Sequence, residues 1–378
     1  LKNEKIKTVF TAKTLAGMEE ILQKELDSLG AVNTQILKRA VSFEGDKAML
    51  YRANYCCRTA LRILKPIIVF PITKQEELYN NITKIPWEEY TGNENTLAVD
   101  AVNMTSVFTN SQYVALKTKD AIVDRFREKT GSRPSVELEN PDLRINIHLY
   151  KETCTVSLDS SGSSLHKRGY RHITGPAPLN EVLAAGLIRL SGWDKTIPLY
   201  DPMCGSGTIL IEANMFARNI PAGYFRPVFG FEKWTDFDLG LWKKIREEEN
   251  EKIKESKIGI FGSDISSRAI AIARENIGFT KFQKQIHMEV AAFEDTMPKS
   301  ASGMIICNPP YDERLQMDDI ISFYRSIGDV LKKKYKGFEA WIISSDQKAL
   351  KFIGLHPSKK ITVFNGPLEC RFVRFSLY

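Results

Sequence analysis

From residue 196 onward, short apolar runs that end in a polar residue alternate with amphipathic stretches of helical period. The runs are TIPLYD (196–201), KIGIFGSD (257–264), IHMEV (286–290), GMIICNPP (303–310) and EAWIISSD (339–346). Between them lie TILIEANMFARN, SSRAIAIARENIGF and DDIISFYRSIGDVLKKKY. Near-continuous apolar strands joined by helices demand a parallel sheet covered on both faces. Ligands of such α/β folds sit at the carboxyl ends of the strands. KKITVFNG and CRFVRFSLY are expected to close the sheet as a terminal strand pair.

The first half has a different character. KIKTVFTA and AVSFEG read as strands, and GMEEILQKELDSLG as a helix ended by Gly30. KAMLYRANYCCRTALRILK is expected to be helical throughout. TLAVDAVN is a strand, SQYVALKTKDAIVDRFREKTG a long helix with Gly131 after it, and LRINIHLYKETCTVSLDSSG a hairpin turning at Lys151-Glu152. No cluster of acid, base and nucleophile occurs here, so this half reads as a binding or positioning unit. The Ser/Gly-rich and then Pro-rich connector SSGSSLHKRGYRHITGPAPLN (160–180) separates the two. With 378 residues, two or three domains are expected.

Three motifs carry chemistry. Asp201-Pro202-Met203-Cys204-Gly205-Ser206-Gly207-Thr208 ends one strand and opens a helix. Its glycines allow a tight turn and close backbone approach to a ligand. The third glycine of the dinucleotide fingerprint and the lysine of a P-loop are both absent. The leading acid suits a cationic ligand, although a structural turn with a capping acid is the alternative. Asp264 ends the next strand, sixty-three residues later, where a carboxylate can accept ribose hydroxyls. It reads equally well as the cap of the helix from Ser266. Asn308-Pro309-Pro310-Tyr311 is the most specific signal. The prolines fix a loop at the catalytic edge and leave carbonyls free as acceptors. The lone pair of an exocyclic base amine is delocalised into the ring. Asn308 Oδ1 and the Pro309 carbonyl, each accepting one N–H, would draw that nitrogen toward tetrahedral geometry. Tyr311 would stack the extruded base.

These motifs resemble motifs I, II and IV of class I amino-methyltransferases. LHKRGYR, APLNEVLAAGLI and FGFEKW extend the similarity to nearly the whole chain. It resembles the THUMP-domain RNA methyltransferases, most of all the bacterial family that makes N2-methylguanosine in 23S ribosomal RNA. The resemblance implies a ferredoxin-like segment at 1–60, a THUMP RNA-binding domain at 61–165 and a Rossmann-like methyltransferase domain at 166–378. It implies S-adenosylmethionine as cofactor, held by Asp201, Pro202, Met203, Cys204, Gly205, Gly207, Thr208, Asp264, Ile265 and Phe293. Where the family has an Asp-Phe pair this chain has Ala292-Phe293, so Glu294 or Asp295 would have to supply any acidic contact to adenine.

The net charge of +7 fits an RNA partner as well as an ordinary basic enzyme. Within LHKRGYRH, Lys167, Arg168 and Arg171 suit phosphate contact, with a solvated linker as the other reading. The cations of the 116–129 helix, Lys117, Lys119, Arg125, Arg127 and Lys129, read as an ordinary solvated face. His166 and His172 read as structural. The six cysteines have no metal-ligand or disulfide spacing, which fits a reducing cytoplasm and no metal site. Cys204 and Cys307 read as small core residues. No run approaches the ~20 apolar residues of a membrane span. The opening LKNEKIKTVF lacks the apolar stretch of a secretory signal. An adenine-N6 methyltransferase acting on DNA or RNA, a non-catalytic ribosome-assembly factor and a NAD-dependent dehydrogenase are the competing functions. The intact Asn308–Tyr311 loop disfavours the second, and the incomplete glycine fingerprint disfavours the third.

Overall fold

In the computed structural model, which describes residues 7–173, 178–310 and 317–378 (the side chains of 317–319 excepted), the chain divides into two units, each built on its own sheet. The first unit contains residues 7–14, Gln23–Leu165 and Pro227–Glu248. Its strands are β1 (Thr8–Thr14), β2 (Val32–Leu37), β3 (Ala40–Gly45), β4 (Ala60–Pro71), β5 (Thr96–Met104), β6 (Ser135–Val136), β7 (Leu143–Tyr150) and β8 (Thr153–Asp159). They form one sheet in the order β2-β3-β1-β4-β8-β7-β5-β6. The helices of this half of the sequence are α1 (Glu19–Ser28), α2 (Lys47–Cys56), α3 (Gln75–Lys84) and α4 (Ser111–Thr130).

α4 starts where the Asn110 side chain accepts the Tyr113 N–H at 2.8 Å and stops at left-handed Gly131. Arg125 on this helix bonds Glu88 Oε2 at 2.8 Å, which pulls the Glu88 carboxyl down to about 2. The hairpin turns at Lys151, which takes a positive φ of 52°. One expectation is corrected. The helix expected to run on from Lys47 ends at Cys56, and Ala60–Pro71 is strand β4, paired with β1 on one side and β8 on the other. Two neighbouring strands outweigh the local helix propensity of LRILK.

A second result concerns FGFEKW. Phe229, Phe231 and Trp242 belong to the first unit, where the Phe231 ring stacks on Tyr51 at 4.2 Å and Trp242 meets Tyr55 edge-on at 5.4 Å. These contacts bury a large aromatic area far from the residues adjacent in sequence.

The second unit contains Leu15–Leu22, His166–Arg226 and Glu249–Tyr378. It comprises α5 (Glu181–Leu190), β9 (Leu199–Asp201), α6 (Thr208–Ala217), β10 (Ile260–Asp264), α8 (Ser267–Thr280), β11 (Ile286–Val290), β12 (Met304–Cys307), α9 (Met317–Lys334), β13 (Glu339–Ser344), β14 (Lys359–Asn365) and β15 (Leu368–Ser376); α7 (Leu239–Glu251) begins in the first unit. The order is β11-β10-β9-β12-β13-β15-β14. β11, β10, β9, β12 and β13 run parallel, and β15 is antiparallel to both β13 and β14. The strand order reverses at β9, between β10 and β12, so a crevice opens beyond the carboxyl ends of these three strands. Among the described residues, no helix is long and apolar enough to cross a membrane, and no group of His, Cys, Asp and Glu could hold a metal ion.

Candidate active site

Asp201, Asp264 and Asn308 lie at the carboxyl ends of β9, β10 and β12. The loop after β9 is stapled to β10: Cys204 N–H donates to the Ser263 carbonyl at 2.9 Å, and Gly205 N–H donates to Asp264 Oδ2 at 2.9 Å. Pro202 O accepts from Ser263 Oγ at 3.3 Å, and half-buried Met203 donates its N–H to Asp201. Gly205 and Gly207 have φ of 52° and 80°. A Cβ on Gly205 would meet open space, whereas one on Gly207 would come within 3.2 Å of Ala273 Cβ. The first glycine thus leaves room beside the loop. The second lets α6 start tightly against α8.

Asp201 is 2% exposed and has no ion-pair partner among the described residues. Burial pushes its carboxyl well above the ordinary range, and the neighbouring Asp264 carboxylate adds to the shift. Asp201 and Asp264 are neighbouring acids, and neither has an ion-pair partner among the described residues, an arrangement that favours a cationic ligand. Asp264 Oδ1 accepts the Ser266 N–H at 2.9 Å, while Ser266 itself caps α8. The carboxylate is therefore held by the backbone, with lone pairs remaining for a ligand. Ile265 beside it is 76% exposed, an apolar wall at the crevice. Asn308 Oδ1 is buried and has no hydrogen-bond partner among the described residues. Pro309 is buried and Pro310 half-buried. Tyr311 lies outside the described residues.

One expectation is corrected, that for Arg168 and Arg171. Arg168 is 2% exposed: its Nε lies 3.3 Å from Glu212 Oε1, which also accepts the Tyr170 hydroxyl at 3.0 Å. Arg171 lies 3.3 Å from Glu181 and donates to the Leu179 carbonyl and to Thr208 Oγ1, both at 2.7 Å. These arginines are internal braces on α5 and α6 and are not open to phosphate; Lys167 is exposed. Phe293 is a core side chain, 5% exposed, with its ring 5.6 Å from Tyr335. Glu294 bonds Ser326 Oγ at 2.7 Å.

Sequence reasoning passed over Glu181, Glu212 and Asn276. Asn276 Oδ1 accepts the His172 N–H at 3.2 Å, and its amide donates to the Ile173 and Ser206 carbonyls at 3.2 and 3.5 Å. It thereby ties the connector to the glycine loop. A lone acid in the apolar helix TILIEANM was the available signal for a buried cation. Burial pushes the Cys204 and Cys307 thiols well above their ordinary range, so neither is a ready nucleophile.

The RMKL-like methyltransferase domain matches residues 168–374, the THUMP domain residues 73–159 and the RlmL ferredoxin-like domain residues 9–64. The chain belongs to the RMKL-like methyltransferase family. A Synechocystis protein carrying an RNA methyltransferase name is 39% identical over 98% of this chain and 97% of its own. The ribosomal RNA large subunit methyltransferase K/L of Methylococcus capsulatus is 39% identical over 97% of this chain, which spans about half (51%) of that relative. The crystal structure of SMU.472, named as a methyltransferase and complexed with SAH, superposes with a TM-score of 0.86 at 30% identity and covers 99% of both chains. The cofactor of this RMKL-like methyltransferase is S-adenosylmethionine. The acid pair, the open Gly205 and the apolar Ile265 fit such a cation carrying an adenosine.

Proposed function

We propose that this RMKL-like methyltransferase methylates an exocyclic amine of a base in RNA, and that the target is guanine N2 of 23S ribosomal RNA. The observation that carries this reading is Asn308 Oδ1, buried and without a hydrogen-bond partner among the described residues, in a proline-containing loop at the same sheet edge as Asp201 and Asp264. A buried acceptor without a donor costs about 1–3 kcal/mol, a cost a substrate N–H would remove. The names of the two sequence relatives support RNA as substrate, and one of them names large-subunit ribosomal RNA. Guanine N2 rests on the family resemblance of the motifs.

When bound, S-adenosylmethionine supplies an electrophilic methyl on a sulfonium. Asp201 would meet the cationic part of the cofactor, spare lone pairs of Asp264 would accept ribose hydroxyls, and Ile265 would pack against the adenine. Asn308 Oδ1 and the Pro309 carbonyl take the two N–H bonds of the amine and aim its lone pair at the methyl carbon. Methyl transfer would exchange the C–S bond for an N–C bond, leave S-adenosylhomocysteine as the thioether product, and release the amine proton to solvent. Alignment does most of this work, so no strong base is required. Arg171 and Asn276 act by holding Thr208 and Ser206, and so the glycine loop, in place.

The test is methylation of unmodified large-subunit ribosomal RNA, followed by mass spectrometry of the nucleosides. N2-methylguanosine is expected. N6-methyladenosine in its place would transfer the site to the adenine reading, and no methylated nucleoside in any RNA would refute the proposal.

A further inference from the structure

The formal charge of +7 is not spread evenly. From Arg325 to Lys360 there are nine lysines and arginines against three acids, which leaves forty-four against forty-three over the rest of the chain. The fold brings six of these nine cations to or near one edge. α9 crosses from the carboxyl edge of the parallel sheet to its amino edge, ending in Lys332, Lys333 and Lys334. The short 3-10 turn Ala349–Ile353 packs along α9 so closely that a Cβ on Gly328 would lie 1.8 Å from the Ile353 carbonyl oxygen. Lys332 Nζ is 3.1 Å from where a Cβ on Gly354 would stand. Lys359 follows Gly354 by a stretch of chain that spans at most ~18 Å. It pairs in register with Arg374, which is bonded to Glu339 at the start of β13.

The lysines at 332, 333, 336, 351, 359 and 360 are all exposed at or near this amino edge. Asp329 lies 3.8 Å from Lys332, and Glu339 is taken by Arg374. Lys333, Lys336, Lys351, Lys359 and Lys360 have no ion pair among the described residues. The negative end of the α9 dipole favours cations in its last turn. It does not account for Lys351, Lys359 and Lys360, whose mutual repulsion serves no structural purpose.

We propose that this amino-edge surface binds the phosphate backbone of the substrate RNA, away from the segment that carries the target base. The proposal rests on the RNA reading above. β13 alone separates the two edges by about 20 Å, so the target nucleotide seated at Asn308 does not itself reach these lysines, whereas the flanking parts of a large folded RNA do.

The test uses the full chain with Lys333→Gln, Lys336→Gln, Lys359→Gln and Lys360→Gln combined. A matched control carries Lys243→Gln, Lys244→Gln, Lys254→Gln and Lys257→Gln. The probe is a large-subunit ribosomal RNA transcript, with affinity measured over a range of salt. Four lost phosphate contacts should flatten the slope of log affinity against log salt by about 3 and raise KM for the transcript roughly tenfold. kcat and the Kd of S-adenosylhomocysteine should stay at their parent values, and the control should match the parent. Parent-like affinity and slope in the first variant would overturn the proposal and leave the surface to an acidic protein. An equal loss in the control would reduce it to net charge. A parent protein that neither binds nor methylates RNA would refute the RNA reading itself.

Discussion

Replacing Arg168 by methionine would remove the cation from a pair that water does not reach. Glu212 would keep the Tyr170 hydroxyl at 3.0 Å and lose the Arg168 guanidinium at 3.3 Å, while its Oε2 already has no partner among the described residues. Breaking a buried pair from one side typically costs about 3–5 kcal/mol, because the remaining charge is uncompensated. Replacing both members by apolar groups of similar volume is often neutral. Arg168→Met with Glu212→Leu should therefore recover most of the loss, a coupling of roughly 2–3 kcal/mol in the double-mutant cycle. Urea unfolding followed through hydrogen exchange of α6 amides measures it, with RNA affinity recorded on the same samples. A loss below about 1 kcal/mol in Arg168→Met, accompanied by weakened RNA binding, would refute the brace and restore the phosphate contact.

The Asp201 carboxyl, raised by burial, makes folding less favourable as pH rises from the ordinary value near ~3.9 through its raised value. Asp201→Asn should thus be more stable than the parent at neutral pH, yet bind S-adenosylmethionine at least about tenfold more weakly. Denaturation and calorimetry together check this, and a less stable variant would mean that a cation already compensates the acid. A fragment beginning at His166 would strip Phe229, Phe231 and Trp242 of Tyr51 and Tyr55. It should bind an apolar dye strongly and unfold at lower urea than the full chain; equal stability would show that those rings find other cover.

The candidate edge of the sheet was legible because its signals are local. Apolar strands that stop at Asp201, Asp264 and Asn308 carry both the fold and the polar groups at strand ends, and Gly205 and Gly207 mark the turn. Partners remote in sequence were not legible. LHKRGYRH reads as a basic surface until Glu181 and Glu212 are brought under its arginines. LRILK reads as helix until β1 and β8 flank it. FGFEKW follows the methyltransferase motif in sequence, and its aromatic rings reach Tyr51 and Tyr55 only through the fold. The lysines from 332 to 360 are spread over a helix, a turn and a strand, so their common edge shows only in three dimensions.

In the mechanism proposed above, Asn308 holds the accepting amine. Single-turnover methyl transfer to large-subunit ribosomal RNA by Asn308→Ala, with S-adenosylmethionine binding measured in parallel, tests it most directly. Loss of one preorganised acceptor should lower the transfer rate by about 10²–10³ while the cofactor Kd stays close to that of the parent. A parent-like rate would contradict the account, because the amine would then be held by other atoms.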